Sequence, residues 1–284
     1  MASAQALTEL LAAAAPSGVV LAASSQSPWE RTRAPSAWTR LVADAGFGLT
    51  LPFQAELALR VGAAAPSGSW FINACFPDAV NPVLAAAGVP VLCGIGNVAL
   101  LAASIQAALG LPDQRELRVL AHHAHLHAPH GDQEEAMAWL DGKPVEGVGD
   151  LLAAQRATDR AELNHVTGLA AAKLVLGVLD GAEQVASLPG PLGLPGGYPV
   201  RLSGDRIELL LPDGMERDDA VAFNQRAAVH DGVVVDGDRV RFTSPAVAEH
   251  DPDLAQEFSV SEIDRVTDRL DRLRTRLRDR PPLT

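Results

Sequence analysis

The stretch "HHAHLHAPH" (122–130) holds five of the chain's eight histidines in nine positions. Imidazoles packed this densely suit a metal site, a general acid/base, or a solvated polar patch. If the segment is extended, alternation places His123, His125 and His127 on one face and His122 on the other. Two imidazoles two positions apart on a strand can chelate one ion. A thiolate beside them would favour zinc over magnesium or calcium. Without metal, a histidine beside a thiol is a pair suited to proton transfer or nucleophilic attack. Cys75 and Cys93 are the two thiols available.

A chain of 284 residues with 48% hydrophobic residues can bury a substantial core in one large or two small domains. Its net charge of -12 argues against a nucleic-acid partner, because a phosphate backbone requires clustered Lys and Arg. The basic run "RLDRLRTRLRDR" near the C-terminus alternates with Asp and Leu at helical spacing and reads as a solvated helix face. No apolar run reaches the roughly 20 residues of a membrane helix, and the Ala-rich start has no basic region before it. The expectation is a cytoplasmic protein without a membrane partner. Two cysteines are too few for a disulfide framework. The Ala-, Gly- and Arg-rich usage fits a GC-rich bacterial genome.

The elements that must position these side chains follow from the apolar pattern. In the first 110 residues, buried strands "SGVVLAASS", "GSWFINACF" and "VPVLCGIG" alternate with helical segments such as "PFQAELALRVGAAAP" and "NVALLAASIQAALG". That alternation predicts a parallel sheet with crossover helices. Further on, "ELRVLAHHAHLHA" reads as a strand, "AMAWLDGKPVEG" as a hairpin and 151–181 as a helix with a break. "GYPVRLSGDRIELLLPDG" and "GVVVDGDRVRFT" read as antiparallel strands, and the last thirty residues as helix. The fold class expected is α/β: a partial, Rossmann-like parallel sheet over 1–112, followed by an α+β region of substrate-domain type over 113–284.

Ligands of open parallel sheets bind at the carboxyl ends of the strands. There the sequence places Ser24 and Ser25, Cys75 and Cys93, so both thiols are expected on one rim. Asp78 and Asn81 could cap a helix or bind substrate. Arg31 and Arg33 flank a loop that could hold an anion. Glu134 and Glu135 read as solvated, and His165, His230 and His250 as structural.

The segments "VVLAASSQSPWERTR", "INACFPDAVNPVLAAAGVPVLCGIGN", "LGLP", the histidine stretch and "AWLDGKPVEGV" resemble, in order, the lactate/malate dehydrogenase superfamily, which includes the family 4 glycoside hydrolases. The resemblance spans roughly Gly18 to Leu152. It implies an Arg-bearing mobile loop at Arg31 and Arg33, an Asn-Pro-type turn at "NACFPD", and a catalytic histidine. Counted from "LGLP" that histidine is His123, whereas "PHGD" favours His130. The glycosidase branch implies instead a divalent metal, zinc or manganese, held by Cys93 and His123, with His125 beside them.

The departures from the family are as informative. There is no strand with a Gly-rich turn to hold a pyrophosphate, and no acidic residue for the ribose; "GIGN" lacks the third glycine. The isolated chain is therefore not expected to bind NAD. The Asp and Arg that follow the sixth strand in the dehydrogenases would fall in "NVALLAAS", which has neither, so the imidazole is expected to lack its orienting carboxylate. The sequence thus implies a dehydrogenase-like enzyme acting on a small polar or anionic substrate through a His/Cys cleft. Its alternatives are a metal-dependent lyase or hydrolase on the same fold, and a non-catalytic partner subunit. The strand at Gly18–Ser24 would present an open edge, which predicts a homo-oligomer or a separate protein partner.

Overall fold

The computed structural model describes residues 4–27, 29–130 and 134–282. Its N-terminal part alternates as the pattern requires: α1 (Ala4–Ala14), β1 (Gly18–Leu21), α2 (Glu30–Arg33), α3 (Ala37–Ala45), α4 (Leu51–Ala64), β2 (Trp70–Asn73), α5 (Pro77–Ala86), β3 (Cys93–Gly94) and α6 (Asn97–Ala108). The three strands pair in parallel, in the order β1-β2-β3. Among the described residues β1 is an edge strand pairing only with β2. The fold is α/β.

The chain then turns antiparallel. β4 (Leu117–Leu120), β5 (Met137–Leu140) and β6 (Lys143–Pro144) form one meander, followed by the short helices α7 (Val148–Leu151) and α8 (Ala153–Ala157) and the long α9 (Arg160–Asp180). β7 (Glu183–Pro189), β8 (Gly197–Ser203) and β9 (Arg206–Leu209) form a second antiparallel sheet. After α10 (Arg217–Asp231), β10 (Val233–Asp236), β11 (Arg239–Phe242), α11 (Pro245–His250) and β12 (Phe258–Ser259), the chain ends on α12 (Ile263–Arg278). No helix among the described residues is long and apolar enough to cross a membrane.

Apolar packing crosses the boundary expected near 112. Trp38, Leu49 and Phe53 share one core with Val233, Phe242 and Phe258, and with Val266, Leu270 and Leu273 of α12. The arginines of α12 are not simply solvated. The Arg274 guanidinium lies 3.8 Å over the Phe53 ring, and Arg278 bonds the Glu30 carboxylate at 2.6 Å. The C-terminal helix is thereby fastened to α4 and α2.

The histidine stretch departs from the expected strand. β4 stops at Leu120, and Ala121 makes one further bridge, to Gly197. His123–Leu126 is then a 3-10 turn. The physical reason is a reciprocal cap: His122 Nδ1 accepts from the Ala124 N–H at 3.1 Å, and His125 Nδ1 accepts from the His122 N–H at 2.8 Å. Imidazoles here do what Ser and Glu do in an ordinary capping box. The alternation of His123, His125 and His127 on one face is lost with the strand.

Candidate active site

The turn aims His123 and His125 in different directions. His125 is buried, its ring stacked on Phe223 with centroids 5.6 Å apart. With Nδ1 accepting from His122 N–H, its Nε2 donates to the Glu134 carbonyl at 3.2 Å. Both nitrogens are committed, and burial pushes its pKa down. His122 is fully buried, and desolvation depresses it to about 3. It is neutral, and because its Nδ1 accepts from Ala124, the 3.3 Å approach of that atom to Asp231 is no ion pair.

His123 is different. Its Nδ1 lies 2.8 and 2.7 Å from the two carboxylate oxygens of Asp231. Phe47 stacks on the ring at 5.7 Å and Phe76 meets it edge-on at 5.4 Å. Burial opposes a charge on this imidazole. The Asp231 carboxylate, through its field and its hydrogen bond, and the nearby Asp78 outweigh that penalty and hold the pKa above the usual histidine value. Burial likewise opposes the Asp231 charge, and His123 outweighs it, holding that carboxyl below its ordinary range. The His123 side chain keeps 15% exposure, and its Nε2 makes no hydrogen bond among the described residues. It is the open end of the pair.

Three segments far apart in sequence build this arrangement. Asp231 closes α10, where the helix dipole disfavours a carboxylate and a cationic neighbour relieves it. Gly232, at φ 90°, follows it, and Gly46, at φ 91°, ends α3. A Cβ on Gly46 would stand 2.4 Å from the Asp231 carbonyl oxygen, and one on Gly232 2.0 Å from that of Ala45. Only glycine allows these backbones to meet, and the meeting carries Phe47 to the His123 ring. Phe76 sits in the left-handed region at φ 47°, immediately before Pro77. Strained backbone of this kind costs on the order of 1–3 kcal/mol; here it fixes the second aromatic wall.

Asp78, in the first turn of α5, neither caps a helix nor faces solvent. Its Oδ1 accepts from the His123 N–H at 2.9 Å, its Oδ2 is buried with no partner among the described residues, and burial raises its pKa to about 6. Asn81 is structural, accepting from Asn73 at 2.9 Å and donating to the Gly190 carbonyl at 2.9 Å. Arg160, at the start of α9, is close enough for its charge to act on His123, His127 and Asp231. It has no hydrogen bond or ion pair among the described residues.

The expected His/Cys cleft is not assembled. Cys75 lies past β2 in the core with Leu21 and Phe76, its thiol donating to the Ala23 carbonyl at 2.8 Å. Cys93 opens β3 opposite Ile72 and lies in a second core with Leu120 and Tyr198. The thiols thus occupy different cores rather than one rim. Burial pushes Cys75 up to about 11 and Cys93 up to about 12, so both are thiols at neutral pH. Cys93 is fully buried and makes no hydrogen bond to His123. With His125 committed to backbone groups, Cys93, His123 and His125 do not converge as ligands. Among the described residues no three His, Cys, Asp or Glu side chains form a group arranged to hold a metal ion. Arg31 and Arg33 are exposed on α2 and make no ion pair among the described residues. His130 is exposed and lies outside the His123–Asp231 pair; 131–133 fall outside the described residues. Glu134 is exposed, whereas Glu135 is held by both arms of Arg156 at 2.8 Å.

Gly94, the last residue of β3, is packed closely: a Cβ there would stand 2.2 Å from Pro77 Cβ and 2.9 Å from the Pro189 carbonyl oxygen, whereas one on Gly96, at the N-terminus of α6, would be at ordinary contact distance, 3.5 Å from Pro77.

No family model matches the chain, and no curated protein matches it. Among solved structures, it is similar to a lactate dehydrogenase enzyme, MGS-M5, from a Medee basin deep-sea metagenome library, at 15% identity and TM-score 0.43, over 79% of this chain and 76% of that one. It is also similar to lactate dehydrogenase from Eimeria maxima, whose structure holds NADH and oxamate, at 15% identity and TM-score 0.40, over 80% of this chain and 73% of that one.

Proposed function

We propose that His123, oriented by Asp231, is the general acid and base of a dehydrogenase-like enzyme that moves a proton onto or off an oxygen of a small polar or anionic substrate. The observation that carries this reading is the 2.7 Å contact between His123 Nδ1 and Asp231. With one nitrogen committed, the proton that reaches a substrate is the one on Nε2. The Asp231 charge favours imidazolium, the form that donates to a carbonyl-type oxygen. The neutral ring accepts from a hydroxyl in the opposite direction. Phe47 and Phe76 keep water from two sides of the ring. Arg160 supports the anionic class of substrate, since its guanidinium makes no hydrogen bond or ion pair among the described residues and its field reaches the pair. The order of sequence elements shared with the lactate/malate dehydrogenase superfamily supports the dehydrogenase-like class.

The test is a panel of small hydroxy and oxo acids, with a hydride donor or acceptor supplied in solution. His123→Asn should lower turnover by about 10²–10⁴-fold, the usual contribution of a positioned acid/base. Turnover that survives this substitution undiminished contradicts the assignment.

A further inference from the structure

Asp78 is a buried carboxylate at the site that the proton transfer proposed above leaves without a role. It stands in the first turn of α5 and ties three segments together. Its carbonyl accepts from the Gly196 N–H, just before β8, at 3.0 Å, and its Oδ1 accepts from the His123 N–H at 2.9 Å. Its Oδ2 is buried and has no partner among the described residues. An amide would brace the turn equally well through one oxygen without burying a charge. The side chain present is instead one that can gain and lose a proton. We propose that Asp78 is a positioning residue for His123: it holds the turn through Oδ1 and, as Oδ2 takes a proton from solvent or returns it, sets how tightly the His123 ring holds its own. The proposal rests on His123 being the proton-transfer group and adds a second proton-binding group to that site.

The influence runs in both directions. Burial raises the Asp78 carboxyl to about 6, with the His123 charge pulling it down and the Asp231 charge pushing it further up. Burial lowers the His123 pKa, and the charges of Asp231 and Asp78 raise it by more. The two carboxylates play different parts. Burial also opposes the Asp231 charge, but His123 outweighs it, and Asp231 stays ionised at neutral pH. Asp78 changes charge near pH 6. Below that pH the ring faces one carboxylate, and above it two. The other groups around the pair do not make this change. Burial keeps the Tyr198 phenol of β8 neutral, and His122 is depressed to about 3. Arg160 keeps its charge throughout. His125 and His127 are held below the usual histidine value by burial, and their own ring resonances separate their titrations from that of Asp78.

An NMR titration of the full chain reads both groups. In the parent, the His123 amide resonance should show a step near pH 6, because Asp78 accepts from that N–H. The His123 ring should show a small step at the same pH beside its own larger one above 6.5. Asp78→Asn, which keeps the acceptor, should abolish the step in both signals and lower the ring pKa. His123→Asn should raise the pKa read at the Asp78 carboxyl carbon. The two shifts should be equal in size, since the coupling between two proton sites is the same seen from either one. A carboxylate that only braced the turn would give no such equality. A parent without the step, which needs no variant to fold, a step that persists in Asp78→Asn, or unequal shifts would overturn the proposal. None of these signals depends on turnover, so failure of the acid/base assignment, read as undiminished turnover in His123→Asn, is a separate result.

Discussion

The two cysteines and His123 are all titratable groups drawn into the protein, yet their surroundings push them toward opposite charge states. Around Cys75 and Cys93 there is only apolar packing and a carbonyl, so burial raises both thiols, to about 11 and about 12, and leaves them neutral. Around His123 burial meets an equally buried carboxylate, and the imidazole is held above its usual pKa. The contrast shows that burial by itself silences a group, whereas burial beside a fixed counter-charge favours its charged form and gives it a direction. The charged, directional pair on which the proposed chemistry rests therefore lies at the junction of α3, α5, α10 and the histidine turn.

The substitution that should break the contrast most strongly is Asp231→Ala. It leaves His123 without its partner, and removing one member of a buried pair costs about 3–5 kcal/mol; equilibrium denaturation at neutral pH would measure it. Gly46→Ala should follow. A Cβ there meets the Asp231 carbonyl in a left-handed backbone, at a cost of about 1–3 kcal/mol, and the displaced Phe47 should alter the His123 ring resonances.

Asp78→Asn should sharpen the comparison in the other direction. It keeps an acceptor for the His123 N–H but removes a carboxylate whose folded pKa is raised to about 6. A raised carboxyl favours the protonated folded state, so in the native chain its contribution to stability falls as pH rises from the unfolded value near 3.8 through about 6. The variant should therefore gain melting temperature over the parent above pH 6 and not near pH 4. The smallest effect is expected at the exposed Arg31 and Arg33: changing either to Ala should move stability by no more than about 0.5 kcal/mol.

Much of the framework was legible from apolar periodicity. The three parallel strands, the antiparallel strand pairs β5-β6, β8-β9 and β10-β11, and the broken helix over 151–181 stand where the pattern put them, whereas β7 and β12 were not read as strands. The site was legible only in part. His123 was among the candidate residues, but its partner was not, because Asp231 lies 108 positions away and the dehydrogenase resemblance directs attention to the helix after β3. The signal available was a carboxylate at the last position of a helix, where the dipole disfavours it. The turn was misread as a strand because histidine is not an ordinary capping residue, and nothing in an alternating "HHAHLH" shows that two of its rings bond their own backbone. Cys93 was misplaced because a two-residue β3 shifts the rim and Cys93 begins that strand instead of ending it; Cys75 does lie just past the end of β2, but in the core with Leu21 and Phe76.

The account rests on Asp231 holding a proton on His123. The stability this contributes through His123 is fully present below the unfolded pKa near 6.5 and is lost as pH rises through the raised folded value. An NMR titration of the His123 ring in the parent chain and in Asp231→Asn measures the claim directly. The parent should titrate above 6.5, and the variant should fall below it, because burial then acts on the ring without the carboxylate that opposed it. A His123 that titrates at or below 6.5 in the parent, or that does not move when Asp231 loses its charge, would contradict the account.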